Sequence, residues 1–280
     1  MKKYLAILDG LRITPATIEY SIKWAKKTNA HLVGVFLDDN FYHSYNYYEV
    51  LTSRKDSGKA FRDFRISDSQ KRTQSVRLFE EACKKAEIPF TVHRDPGLAL
   101  QELVRESMFA DLIIINKTET FSRGMENPPT QFLKDFLGRV LCPVWVVPTK
   151  HRQIKTVVLL YNGKPSSLYA IKMFGYLFNE IQELPVEIFT VREQLKGALR
   201  FPQNTLLREY IKRHFPTATY KIVKGNVEDE VSKRFRNSSE SQMIVLGAYQ
   251  RGEVSRWFKT SMADILMKES KSSLFIAHSN

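Results

Sequence analysis

The segment Gln242–Ser273 decides the fold of this chain. It reads MIVL at 243–246, GAYQRG at 247–252 and TS at 260–261, where a helical pattern begins. A short apolar run that ends in glycine is typical of a parallel strand that is buried on both faces and leaves the sheet at its carboxyl edge. The segment therefore predicts a strand, a loop and a helix, in that order.

The loop between this strand and this helix has the features of an anion site. Gly247 and Gly252 allow the backbone to come close to a ligand, and Ser261 can cap a helix whose apolar face includes Met262. Free N–H groups and the helix dipole attract anions to such a helix start. We predict that residues 247–261 hold phosphate, with a tight connection that binds nothing as the open alternative.

The composition is that of an ordinary globular protein. The chain has 280 residues, which favours two domains, and 43% of its residues are apolar and 26% charged. The net charge is +13, but Lys and Arg are scattered over both halves of the sequence. We therefore interpret them as a solvated surface and do not expect nucleic acid as a partner.

Membrane and metal-binding patterns are absent from the sequence. No apolar run approaches the roughly 18 residues that a membrane span needs, and the first residues lead directly into a strand-like segment instead of a signal-peptide core. The two cysteines and six histidines show no metal-ligand spacing. We expect a cytoplasmic protein with neither a metal site nor a membrane partner.

Strand-like and helix-like segments alternate along the chain, and their order repeats once. The predicted strands are 3–9, 31–37, 90–93, 111–116 and 143–147 in the first half (residues 1–150), and 155–161, 186–191, 220–223, 243–246 and 273–277 in the second half (residues 151–280). The first strand of each half ends in a turn-forming pair, Asp9-Gly10 or Asn162-Gly163. The order predicts an α/β fold with two tandem, doubly wound, parallel five-stranded sheets, one domain in each half.

Two features go beyond this repeat. The first half carries an insert near residues 38–66 with the aromatic run FYHSYNYY at 41–48, which would form a lid, a partner surface or a segment packed on its own domain. The final strands, 143–147 and 273–277, are short and apolar at what would be the sheet edges, and such edges invite pairing. We predict that these strands pair and make the chain an internal dimer-like unit.

With these motifs in place, the chain resembles a tandem universal stress protein over both halves. Many members of that family bind ATP with an aspartate at the end of the first strand and a loop of pattern Gly-x-x-Gly, nine residues, Gly-Ser/Thr after the fourth strand. In the second half, Gly247 matches the first glycine of the loop and Ser261 its final hydroxyl. The second glycine, the third glycine and the aspartate are replaced by Gln250, Thr260 and Asn162.

The first half departs from the family pattern in the opposite way. It keeps Asp9, but residues 116–130 contain Gly124 as their only glycine, and Pro128-Pro129 removes two N–H donors. We expect Asp9 to form a strand-end turn. The nucleotide loop of this half is degenerate, and we expect it not to bind nucleotide as the family does.

The resemblance implies a stress-response protein that binds adenine nucleotide, as ATP, in its second half and acts as a regulatory module. It implies contacts to the base from Val191 and to the ribose and phosphates from Asn162, Gly163, Gly247, Gly252, Thr260, Ser261 and Met262. The sequence contains no catalytic constellation, so we do not expect a turnover enzyme. Two alternatives stay open: a protein-interaction module with degenerate sites, and a slow ATP hydrolase. A homodimer of the whole chain is compatible with each of them.

Overall fold

Strands and helices alternate along the computed structural model, which describes residues 1–37, 57–95, 99–121, 125–181, 183–193, 200–236, 238, 241–247 and 261–278. The strands in these ranges are β1 (Lys3–Leu8), β2 (His31–Leu37), β3 (Phe90–Asp95), β4 (Leu112–Asn116), β5 (Val144–Val147), β6 (Thr156–Leu160), β7 (Val186–Arg192), β8 (Thr219–Lys224), β9 (Gln242–Gly247) and β10 (Ser273–Ala277). The helices are α1 (Pro15–Thr28), α2 (Ser57–Ala86), α3 (Ala99–Ser107), α4 (Gln131–Leu137), α5 (Pro165–Leu177), α6 (Asn204–His214), α7 (Val227–Phe235) and α8 (Met262–Glu269), with a 3-10 turn at Asn179–Ile181.

The strands of the described ranges form one sheet in the order β3-β2-β1-β4-β5-β10-β9-β6-β7-β8. Neighbouring strands run parallel within each half. In the middle of the sheet β5 and β10 pair antiparallel. The predicted fold class is thereby confirmed, and the two five-stranded sheets are joined edge to edge.

Both faces of the sheet are covered by helices. The core on one face includes residues of α1, α2, α5 and α6, and the core on the other includes residues of α3, α4, α7 and α8. This double cover explains why an inner strand such as β4, with the sequence LIIIN, is an unbroken apolar run up to its last residue. Each half is therefore doubly wound, as predicted.

The pairing of β5 with β10 forms the seam between the halves. Its register places Val144 opposite Ile276, Trp145 opposite Phe275 and Val146 opposite Leu274. All six side chains are at most 2% exposed. The predicted pairing of the two final strands is confirmed, because an apolar edge on each half is buried against the other.

An aromatic cluster lies over one face of the seam and draws in helices of both halves. Trp145 makes edge-to-face contacts with Tyr20 of α1, at 5.1 Å between ring centroids, and with Phe178, at 5.4 Å. Trp24 of α1 stacks on Phe178 at 4.3 Å, and Phe275 meets the same ring edge-on at 5.4 Å. Such pairs add about 0.5–1.5 kcal/mol each beyond the area they bury. The seam is therefore stabilised by side chains as well as by the strand ladder.

Polar contacts also cross from one half to the other. The Tyr20 hydroxyl donates to the carbonyl oxygen of Arg152 and accepts the N–H of the same residue, both at 3.0 Å. Lys117, just after β4, donates from Nζ to the carbonyls of Met267 (3.3 Å) and Ser270 (3.1 Å) at the end of α8. A cation at a helix C-terminus interacts favourably with the helix dipole. The segment that joins the halves is thus bound to α1 of the first half, and the loop after β4 is bound to α8 of the second half.

The long helix α2 differs from the sequence expectation. It begins at Ser57, so the last third of the region predicted as an insert, 38–66, is helical. The aromatic run 41–48 lies outside the described residues, and its predicted roles stay predictions. Among the described residues, no helix combines the length and the apolar character that crossing a membrane requires.

Replacing Val146 by Asp tests the seam. The carboxylate would be buried opposite Leu274 without a partner, so we expect the free energy of unfolding to fall by about 3 kcal/mol or more. Urea unfolding followed by tryptophan fluorescence should show the loss, because Trp145 lies in the seam, and this transition should precede the loss of far-UV circular dichroism. Lys221→Asp, on the exposed edge strand β8, is the control and should stay within about 0.5 kcal/mol of the parent. An equal loss in both variants would contradict the role of the seam.

Candidate functional site

In each half, two neighbouring strands form a topological switch point at their carboxyl ends, and we call this position the crevice of that half. In the second half β6 pairs with β9, and the helices that follow them, α5 and α8, pack on opposite faces of the sheet. Chains that leave neighbouring strands toward opposite faces open a cleft between them, which is the usual ligand position in such sheets. In the first half β1 and β4 have the same relation.

The second-half crevice brings several predicted site residues to one edge of the sheet. Asn162 and Gly163 follow β6, and Gly247 is the last residue of the neighbouring β9. Ser261 and Met262 form the start of α8, and Val191 lies near the end of β7, one strand further along. Gly252 and Thr260 lie outside the described residues, as does the remainder of the loop 248–260, so their predicted contacts stay predictions.

The turn after β6 is held by Asn162. Its side-chain oxygen Oδ1 accepts the N–H of Lys164 at 2.9 Å, and its own N–H donates to Ser167 Oγ at 3.4 Å. An Asn that bonds the backbone two residues on forms a turn typical of strand ends. The Asn162 side chain is exposed, so its amide is accessible to solvent at this end of the sheet.

Gly163 is required by backbone conformation and by space. Its φ is +84°, and a Cβ at this position would lie 2.5 Å from Cβ of Pro202. Phe201, before Pro202, is buried and packs on Tyr220 of β8 with ring centroids 5.6 Å apart. The segment before α6 therefore covers one side of the turn, a contact not predicted from the sequence. The Phe-Pro pair just before a helix was the available signal.

Gly247 has a packing role that the sequence analysis did not foresee. A Cβ at this position would lie 2.3 Å from the carbonyl oxygen of Ser166 and 2.5 Å from its carbonyl carbon. The end of β9 thus runs against the backbone of the first turn of α5. Gly247 was predicted only as a site of close approach to a ligand, whereas in the structure it ends β9 and rigid backbone occupies the space that a side chain would need.

The start of α8 is capped as predicted. Ser261 Oγ accepts the N–H of Ala263 at 3.3 Å, and Asp264 Oδ2 accepts the N–H of Ser261 at 3.4 Å, which completes a capping box. The Asp264 carboxylate was not among the predicted site residues. This carboxylate accepts the N–H of Ser261, which would otherwise be available to an anion. A phosphate at this helix must therefore bind the Ser261 hydroxyl and the loop before α8.

The first-half crevice has different chemistry. Asp9, just after β1, is 5% exposed, and its Oδ1 accepts the N–H of Leu11 at 2.8 Å, so the predicted strand-end turn is confirmed. Glu119, in the loop after β4, is 6% exposed, and its Oε1 accepts the N–H groups of Thr120 (3.1 Å) and Phe121 (3.3 Å). Two buried carboxyl groups, one just after β1 and one in the loop after β4, thus distinguish this crevice from that of the second half.

Burial and proximity perturb both carboxyl groups. Burial raises the pKa of Asp9, while the N–H of Leu11 and the guanidinium groups of Arg72 and Arg12 oppose the rise. Burial raises the pKa of Glu119 to about 8, and the nearby Asp9 charge raises it further, against the two backbone N–H donors. The sequence analysis missed Glu119, because nothing local marks one acidic residue in a polar loop as buried.

Helix α2 closes the first-half crevice from the side. Ser75 Oγ donates to the carbonyl oxygen of Gly10 at 2.7 Å, and Arg72 donates to the carbonyl oxygen of Leu37 at 3.1 Å. A Cβ on Gly10 would lie 3.0 Å from Cγ of Arg72. The turn after β1 is therefore packed under this helix. Within the described ranges, no group of three or more His, Cys, Asp or Glu residues is arranged to hold a metal.

Gly247→Ala tests the packing role of this glycine in the ligand-free protein. The added Cβ meets the Ser166 backbone, and such overpacking costs about 1–3 kcal/mol, which chemical denaturation of the ligand-free protein measures. Gly138→Ala is the matched control, because its Cβ would make only ordinary contacts, with the nearest atom at 3.5 Å. If both glycines tolerated alanine equally, the close approach of β9 to α5 would be contradicted.

Comparisons with known proteins give a fold but no sequence match. No family model matches the chain, and neither does any curated protein sequence. Solved structures match along nearly the whole chain. A universal stress protein from Archaeoglobus fulgidus DSM 4304 aligns with 99% of this chain and 98% of its own, at 15% identity and a TM-score of 0.68.

Two further structures show how widely the fold is used. A putative universal stress protein from Pseudomonas aeruginosa UCBPP-PA14 aligns with 99% of this chain and 93% of its own, at 11% identity and a TM-score of 0.59. The cytoplasmic domain of a prokaryotic cation chloride cotransporter aligns with 99% and 95%, at 10% identity and a TM-score of 0.51. Over its whole length, this chain therefore has the fold of the universal stress proteins, as the resemblance in its sequence implied.

Proposed function

We propose that the chain is a cytoplasmic universal stress protein whose second half binds an adenine nucleotide and whose role is regulatory. The observation that carries the proposal is the second-half crevice, where the turn at Asn162 and the end of β9 at Gly247 lie at the carboxyl ends of paired strands, and the capped helix α8 is the next element after β9. The fold shared with universal stress proteins along the full chain supports the same conclusion.

The nucleotide would lie across the ends of three strands. Val191, near the end of β7, is half-buried and offers apolar surface to the base. The exposed Asn162 amide and the Gly163 backbone are placed for ribose hydroxyls. The phosphates would bind residues 247–262, including Gly252, Thr260, Ser261 and Met262. The Ser261 hydroxyl accepts one bond from Ala263 and still has its own hydrogen to donate to a phosphate oxygen.

The first half is not proposed as a second nucleotide site. Residues 116–130, after its fourth strand, contain a single glycine, Gly124, and Pro128-Pro129 removes two backbone N–H donors that phosphate binding would use. One nucleotide per chain is therefore expected, together with an internal dimer-like arrangement of unequal halves. A homodimer of the whole chain stays a separate expectation.

A second candidate function is a module that works through protein contacts alone. The use of this fold as the cytoplasmic domain of a prokaryotic cation chloride cotransporter favours it, because there the fold is one part of a larger protein. Slow ATP hydrolysis is a third candidate, for which none of the described crevice residues of the second half supplies an evident general base.

Calorimetric titration of the full chain with ATP and with AMP separates these candidates. We expect one site per chain and tighter binding of ATP, because the additional phosphates reach the loop and the start of α8. Absence of heat with both nucleotides, from a protein whose circular dichroism is intact, would overturn the proposal and favour the protein-contact module. Phosphate release measured over hours on the same samples tests the hydrolase.

Ser261→Ala tests the site itself. Loss of the hydroxyl removes one hydrogen bond to a charged group, so affinity for ATP should fall about tenfold. The lost cap should also cost about 0.5–2 kcal/mol of stability. Asn226→Ala is the matched control, because Asn226 caps α7 through the N–H of Asp229 at 3.1 Å. It should lose similar stability and no affinity, and equal affinity in both variants would place the phosphates elsewhere.

A further inference from the structure

We propose that Asp9 and Glu119 share one proton near neutral pH. The first half then responds to pH at its crevice, which corresponds to the polar crevice of the second half. Neither the comparisons nor the resemblance to universal stress proteins assigns a role to Glu119. The proposal concerns the first half alone and does not depend on nucleotide binding by the second.

The sheet places the two carboxyl groups at the ends of neighbouring strands. Strands β1 and β4 are paired neighbours, with Ala6 opposite Ile114 in the register. Asp9 is the first residue after β1, and Glu119 is held to the end of β4 by its N–H, which donates to the carbonyl oxygen of Asn116 at 3.2 Å. Two buried carboxylates at neighbouring strand ends cannot both be ionised at ordinary cost, because each is removed from water and repelled by the other.

The surrounding charges assign the ionised form to Asp9. Arg12, in the turn after β1, and Arg72, on α2, both interact favourably with the Asp9 carboxylate. Glu119 has only the weaker influence of Arg12 among these cations. Asp68, one turn before Arg72, is a further buried acid of α2. Lys117 precedes Glu119 in the loop, but its ammonium is bound to carbonyls at the end of α8. The shared proton therefore belongs mainly on Glu119.

The crevice can also accommodate loss of that proton. Glu119 Oε1 already accepts two backbone N–H groups, from Thr120 and Phe121. The Nδ2 donor of Asn116 is buried at the same strand end without a hydrogen-bond partner among the described residues, and an ionised Glu119 could take it up. Deprotonation then adds a second negative charge that repels the Asp9 carboxylate, while the local hydrogen bonds of Asp9 to Leu11 and of Glu119 to Thr120 and Phe121 are kept.

The sign of the pH effect follows from the raised pKa. The pKa of Glu119 is raised to about 8 in the folded protein, whereas in the unfolded chain this carboxyl group has its ordinary pKa of 4.5. In this window the folded state binds more protons, so stability falls as pH rises. The contribution is fully present below pH 4.5 and is lost as pH passes through about 8.

Carboxyl ¹³C NMR of the full chain, labelled at Asp and Glu and titrated from pH 5 to pH 9, tests the proposal. We expect one carboxyl resonance to titrate well above the ordinary range and to be missing in Glu119→Gln. In Asp9→Asn the same resonance should titrate lower by about one unit or more, because the neighbouring charge is gone. Glu209→Gln, at an exposed residue of α6, is the control and should leave the resonance unchanged.

Urea unfolding between pH 6 and pH 9 gives the second measurement. The parent should lose stability across this range, and Glu119→Gln should show a clearly flatter profile. If every carboxyl group titrates in the ordinary range, or if Asp9→Asn leaves the high resonance where it was, the shared proton is disproved. Should Glu119→Gln fail to fold, the Asp9→Asn titration alone decides the matter. Nucleotide titrations are not part of either measurement, so failure here leaves the proposed function of the second half standing.

Discussion

The antiparallel pairing of β5 with β10 is the interaction on which the rest of the molecule depends. Without it, each five-stranded sheet would end in an exposed apolar strand, a common cause of aggregation. With it, six nearly inaccessible side chains and an aromatic cluster are buried between the halves. The core that lies over the seam contains Trp24 and Trp145 from the first half and Phe174 and Phe178 from the second. Neither half has a complete core of its own on this face.

The same pairing sets the relation between the two crevices. Each crevice lies a short distance from the seam, at β1 and β4 on one side and at β6 and β9 on the other. The two crevices have the same arrangement of strands, but the side chains at their strand ends differ. Asp9 is accompanied by a second buried acid, Glu119, in one crevice, whereas an exposed amide, Asn162, stands at the corresponding strand end in the other. The first-half crevice would therefore suit a basic or neutral ligand, and the second-half crevice an acidic one.

The strands and their order could be predicted from sequence, because strands buried on both faces must be apolar throughout, as LIIIN at 112–116 shows. The pairing of the final strands followed from two short apolar edges. Three features were not predicted, since each depends on a segment distant in sequence, although the Phe201-Pro202 pair before α6 was a usable signal for the second of them. They are the approach of Ser166 to Gly247, the cover of Gly163 by Pro202, and the burial of Glu119 near Asp9. The start of α2 at Ser57 was missed, although Ala60, Phe61 and Phe64 fall at helical spacing.

Joining the halves in one polypeptide also fixes their stoichiometry. Two separate chains with different crevices would pair with themselves as well as with each other, and a mixture of three species would result. In this protein the Tyr20 contact to Arg152 and the Lys117 contact to α8 hold one acidic half beside one polar half in every molecule. Selection could therefore change one crevice without altering the other, because an altered half always pairs with the other half of the same chain.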